Sequence, residues 1–110
     1  MEKKVSLDKK LRLEIESWRH TAVSTMSYYD EPEELLNDLA IRSYIQNTIS
    51  QIGLKSVDPD LLQLLDKGDG LFVKKIISEE KNPYEHISYL TNEKPKSEWW
   101  WHFEEIKKRA

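Results

Sequence analysis

The feature that most constrains this chain is an apolar stripe of helical period near its start. Apolar side chains recur there at steps of three and four residues, which places them within about 100° of arc on an α-helix. Charged side chains fill the positions between them, so the opposite face is solvated. The pattern predicts a helix over residues 7–28 with Ser6 as its N-cap. The stripe consists of Leu7, Leu11, Ile15, Trp18, Ala22, Met26 and Tyr29.

A second long helix is predicted over residues 32–52. Pro32 suits a first helical turn because the N–H groups of that turn have no partner within the helix. The acids beside it complement the helix dipole, and Gly53 supplies a C-terminal stop. Apolar residues change sides halfway along this helix, which predicts that it packs between two layers. Together the two helices predict an antiparallel hairpin over residues 6–52.

Three or four shorter helices are predicted after the hairpin. Asp58 and Pro59 open one that ends at Lys67-Gly68, and Asp69 caps another over residues 70–80. Asn82 caps a third that reaches Leu90, and Ser97 caps a last one. The last helix is predicted over residues 98–109. The predicted architecture is therefore a single all-α domain spanning residues 1–110, with a small two-stranded ribbon within residues 71–91 (an α+β fold) as the alternative.

Composition excludes several classes of protein. There is no cysteine, which removes disulfides, thiolate metal sites and cysteine nucleophiles. Three glycines and four prolines are too few for a barrel or sandwich with many tight turns, whereas four tryptophans argue for a folded domain. The sequence contains no long apolar run that would indicate a signal peptide or a transmembrane helix. We therefore expect a cytoplasmic protein without a membrane partner.

The sequence lacks the residue spacings that metal-binding and catalytic motifs require. The acidic segment 58–69 lacks the regularly placed oxygen ligands of a calcium loop. The three histidines, His20, His86 and His102, are scattered, and the pair of His102 with Glu105 one turn away is not sufficient for a metal site. No nucleophile, base and acid can be assembled from the spacing. We expect no enzyme, no metal and no cofactor.

A helix-turn-helix outline over residues 58–81 supports one alternative function, nucleic-acid binding. Its second helix would carry Lys74, Lys75 and Lys81. The outline opens with two aspartates that would meet phosphate groups, and the middle of the chain is acidic. Nucleic-acid binding is therefore the less favoured hypothesis.

Three consecutive tryptophans indicate the favoured function. On a helix, Trp99 and Phe103 share one apolar stripe, while Trp101 projects almost opposite and Trp100 lies to one side. Exposed indoles are enriched at interface hot spots, and acidic neighbours repel phosphates. The sequence thus predicts a non-catalytic protein–protein interaction module, such as an adaptor, antitoxin or immunity protein, whose partner is another protein or a second copy. Its predicted partner-binding residues are Glu98, Trp100, Trp101 and Glu104.

Overall fold

The structure, a computed structural model, describes residues 2–24 and 27–110, with side chains from Ser6 onward. Every regular element in these ranges is helical, so the all-α prediction is confirmed and the ribbon alternative is wrong. The five α-helices are α1 (Glu2–Ala22), α2 (Pro32–Ile52), α3 (Pro59–Ser78), α4 (Ser88–Thr91) and α5 (Phe103–Arg109). Three short 3-10 turns lie at Leu54–Ser56, Glu85–Ile87 and Trp99–Trp101.

Helix α1 is the central helix and packs against both α2 and α3. Its predicted stripe is buried from Leu11 to Ala22. The helix starts before Ser6, so the predicted N-cap is wrong, and it ends at Ala22 rather than at residue 28. Thr21 donates its hydroxyl to the Trp18 carbonyl, a side-chain bond of the kind that competes with helix continuation. Met26, predicted on the stripe, lies outside the described residues.

Helix α2 has the predicted bounds, and Gly53 follows it at φ 93°, a conformation that favours glycine. Its buried residues form one continuous stripe because polar side chains occupy the gaps between the apolar ones. Asp38, Arg42 and Thr48 are all buried there, which explains why the apolar residues alone seem to change sides. Polar groups of α2 therefore lie inside the protein.

Helix α3 is continuous, so the predicted break at Gly68 is wrong. Gly68 is buried within the helix, where an added Cβ would lie 2.9 Å from the Trp18 ring and from the Arg19 side chain. The glycine therefore permits close contact between α1 and α3 instead of ending a helix. The predicted cap at the start of α3 is confirmed, because the Asp58 carboxylate accepts from the Asp60 N–H at 2.9 Å.

The predicted last helix is interrupted. Residues 99–101 form a 3-10 turn, and His102 is extended (φ −121°, ψ 110°) before α5 begins. The predicted helix up to Leu90 is likewise a 3-10 turn followed by the single turn of α4, although the Asn82 cap is confirmed by a 2.8 Å bond from the Tyr84 N–H. These short turns pack against α2, and α5 packs against α3.

Candidate functional site

The three consecutive tryptophans are all buried, contrary to the expectation for Trp100 and Trp101. Relative exposures are 8% for Trp99, 1% for Trp100 and 5% for Trp101. The 3-10 turn and the extended His102 replace the regular helix on which the predicted outward direction of Trp101 depended. Phe103, predicted to be core, is only partly buried. These indoles therefore serve the core rather than an exposed contact surface.

Ser43 of α2 holds the tryptophan segment in place. Its hydroxyl oxygen accepts from the indole N–H groups of Trp100 and Trp101, at 3.0 and 2.9 Å. The same hydroxyl donates to Oε1 of Glu98 at 2.9 Å. Glu98 therefore lies in this internal network, whereas Glu104 lies on the surface, 3.6 Å from the Lys107 ammonium. The four predicted partner-binding residues do not form one exposed site.

An ion pair between the buried Arg42 and the half-buried Asp69 joins α2 to α3. Arg42 and Asp69 pair through two bonds, Nε to Oδ1 at 2.8 Å and Nη2 to Oδ2 at 3.1 Å. The Trp18 indole N–H donates to the same carboxylate at 2.9 Å. The Arg42 guanidinium lies over the Trp100 ring, 4.4 Å from its centroid. Asp69 contacts both Trp18 and Arg42, and Arg42 contacts Trp100, so the cluster connects three helices with the tryptophan segment.

A small open pocket of about 170 Å³, lined by polar and charged residues, lies where the α1–α2 connection meets α3. The Tyr28 hydroxyl donates to Asp38 at 2.5 Å, and the Lys75 ammonium lies 4.1 Å from the centroid of the Tyr28 ring. Burial raises the pKa of Asp38 despite that hydrogen bond and the charge of Lys75. Burial also raises the pKa of Tyr28 and lowers that of Lys75. Perturbed groups in a cavity can indicate a functional site, but these three mainly bind one another and the backbone.

The lysines of the nucleic-acid hypothesis do not form one face. Lys74 is exposed on α3, whereas Lys75 donates to the Ser24 carbonyl at 2.9 Å and is half-buried. Lys81 lies beyond the end of α3, with its ammonium 4.8 Å from the centroid of the Tyr29 ring. Because α3 is continuous, the predicted helix-turn-helix outline is also wrong.

Metal ligands do not cluster in the part of the chain that the structure describes: no group of three His, Asp or Glu side chains there is placed to hold an ion. His102 instead contacts the Lys94 and Pro95 carbonyls through Nε2, at 2.9 and 3.2 Å. His86 packs its ring 4.8 Å from that of Tyr29.

The outward face of α2 carries a different kind of surface. Its exposed or half-buried positions follow the alternating steps of three and four residues that keep side chains on one helix face. From Asn37 to Gln51 this face carries no charged residue, in a chain in which 34% of residues are charged. Glu33, one turn before Asn37, is exposed on the same face. Tyr44 is 60% exposed, and Leu54, directly after the helix, is 64% exposed. This α2 stripe consists of Asn37, Ala40, Tyr44, Asn47 and Gln51.

Sequence reasoning missed both the internal polar groups and this stripe. Arg42 and Asp38 lack a signal in the sequence because only the fold shows that they are buried, and only the fold shows that Ser43 contacts the tryptophans. The stripe does leave a signal in the sequence, because residues 43–54 form the longest run of the chain without a charged residue.

Comparisons with family models, with curated proteins and with solved structures found no match. None of the helices in the described ranges is both long enough and apolar enough to span a membrane. The site must therefore be judged from its own geometry.

Proposed function

We propose that this protein is a non-catalytic interaction module of the cytoplasm that binds another protein chain through the α2 stripe. The observation that carries the proposal is the exposure of Tyr44 in the middle of the α2 stripe, which carries no charge from Asn37 to Gln51. The centres of protein interfaces are depleted in charged residues and enriched in tyrosine. A side chain with two rotatable torsions and a large ring also loses little entropy on binding.

The interior of the molecule supports the same proposal. Several inner polar groups bind one another: Arg42 pairs with Asp69, Ser43 with two indoles, and Tyr28 with Asp38. Such contacts hold helices together and leave these groups engaged in packing. The tryptophans, predicted to bind a partner, are likewise engaged with α2. The accessible α2 stripe is therefore the favoured contact surface.

Site-specific photo-crosslinking in the native cell tests this function. Tyr44 is replaced by a benzophenone amino acid, and Tyr89 by the same residue as a matched control. Tyr89 is 69% exposed but lies on α4, next to a loop with the charged residues Glu93 and Lys94. We expect a discrete adduct of higher mass from position 44 and none from position 89. Equal labelling at the two positions, or none at position 44, would contradict the proposal.

A further inference from the structure

We infer that the α2 stripe binds the same stripe of a second copy of this chain, around a two-fold axis near Tyr44 and Asn47. This inference rests on the proposed function and specifies its partner. Homo-oligomers with two-fold symmetry place one surface patch against itself. The patch must therefore be complementary to itself.

Electrostatics is the first argument for a second copy. Residues next to a two-fold axis lie beside their own copies, so any charge near the axis meets a like charge, which costs several kcal/mol in an interface. On α2 the charged side chains near the middle of the helix, Asp38 and Arg42, are buried on the opposite face. The stripe can therefore meet its copy without repulsion.

Hydrogen-bonding capacity is the second argument. Asparagine, glutamine and tyrosine side chains each contain both a donor and an acceptor. The α2 stripe carries all three types, at Asn47, Gln51 and Tyr44. Each of these groups can therefore bond to a copy of itself or of its neighbours. An acidic or basic partner, by contrast, would find no opposite charge between Asn37 and Gln51.

The ends of α2 favour an antiparallel pair. Glu33 and Glu34 lie in the first turn. In a parallel pair these acids would lie beside the same acids of the other copy, and both helix dipoles would point the same way. In an antiparallel pair they lie at opposite ends of the interface, separated by a helix that is about 30 Å long at 1.5 Å per residue.

The stripe predicts a weak dimer. From Asn37 to Gln51 it spans about 21 Å along the helix, and its only large ring is that of Tyr44. Interfaces of small area form transient complexes. Association should therefore depend on protein concentration, and sedimentation velocity over a concentration series is the suitable measurement.

Paired charge variants at Asn47 provide the test. Asn47→Asp and Asn47→Lys each place like charges near the axis, and we expect each to raise the dimer dissociation constant about tenfold or more. An equimolar mixture of the two should form a heterodimer at least as readily as the wild type. The experiment is run at about 10 mM salt, where the screening length is about 30 Å. Asn92→Asp and Asn92→Lys, which change an exposed asparagine directly after α4 and outside the α2 stripe, are the matched controls.

Each outcome decides between the alternatives. Loss of the dimer in both Asn47 variants, with recovery in their mixture and no change in the Asn92 pair, supports the inference. Helical circular dichroism of every variant excludes unfolding as the cause. A wild-type protein that stays monomeric at the highest concentration overturns the inference, as does dimerisation that Asn47 does not affect. If the wild type is monomeric but position 44 forms an adduct with a different protein in the cell, the inference fails and the proposed function stands. If it is monomeric and position 44 forms no adduct, both the inference and the proposed function fail.

Discussion

Ser43 illustrates how one small residue decides the placement of much larger ones. The indole N–H groups of Trp100 and Trp101 both donate to its oxygen, and its hydroxyl donates a hydrogen bond to Glu98. A buried donor without a partner is costly, so two large side chains depend on this hydroxyl. Ser43 also explains how two consecutive tryptophans can both be buried. The N–H groups of Trp100 and Trp101 need a shared acceptor on α2, and the two residues do not have to lie on one face of a helix.

Ser43→Ala tests this role. The substitution leaves the Trp100 N–H without its acceptor, whereas Trp101 keeps a 3.2 Å contact with Glu98. We expect the free energy of unfolding to fall by about 1–3 kcal/mol, the cost of an unsatisfied buried polar group. Urea denaturation followed by tryptophan fluorescence measures it. Ser50→Ala, an exposed serine on the same helix, is the control and should change stability by much less.

At the scale of the element, helix α3 shows that two glycines two residues apart do different things. Gly68 is buried against Trp18, whereas a Cβ at Gly70 would meet nothing within 4 Å. A glycine inside a helix lowers the stability of the helix, because glycine loses more conformational entropy on folding than any other residue. Only at position 68 does close helix contact compensate for that cost.

The two positions should therefore respond in opposite directions to alanine. We expect Gly70→Ala to stabilise the protein by about 0.5–1 kcal/mol, the ordinary difference in helix propensity. Gly68→Ala should destabilise it, because the new methyl group displaces the fully buried Trp18 ring. Thermal unfolding of both variants checks the signs. A gain in stability from Gly68→Ala would show that the contact with Trp18 is not restrictive.

The sequence predicts elements well where local chemistry decides them. The bounds of α2 follow from Pro32 and Gly53, and the start of α3 follows from the cap of Asp58. It fails where a distant contact decides. Gly68 resembles a helix stop until Trp18 is placed against it, and the tryptophan segment resembles a helix until Ser43 of α2 supplies its acceptor. The buried Arg42 cannot be recognised locally, since Asp69 lies 27 positions away.

At the scale of the whole molecule, α1 organises the fold, since both α2 and α3 pack against it. The segment after α3 then covers α2 with its tryptophans and α3 with α5. All four tryptophans are buried in this arrangement, including Trp18. The outward face of α2 remains uncovered in the single chain, which is why the proposed contact is placed there.

The burial of the tryptophan segment against α2 has a consequence for how the protein opens. If this segment detached alone, three buried indoles would be exposed to water, and Trp100 would lose its contacts with Arg42 and Ser43. Fraying from the C-terminal side should therefore be suppressed. In native-state hydrogen exchange, the amide of the buried Ile106 should exchange only through global unfolding, at the same free energy as that of Ile15 in α1. Faster exchange at Ile106 would identify the C-terminal segment as a separate cooperative unit.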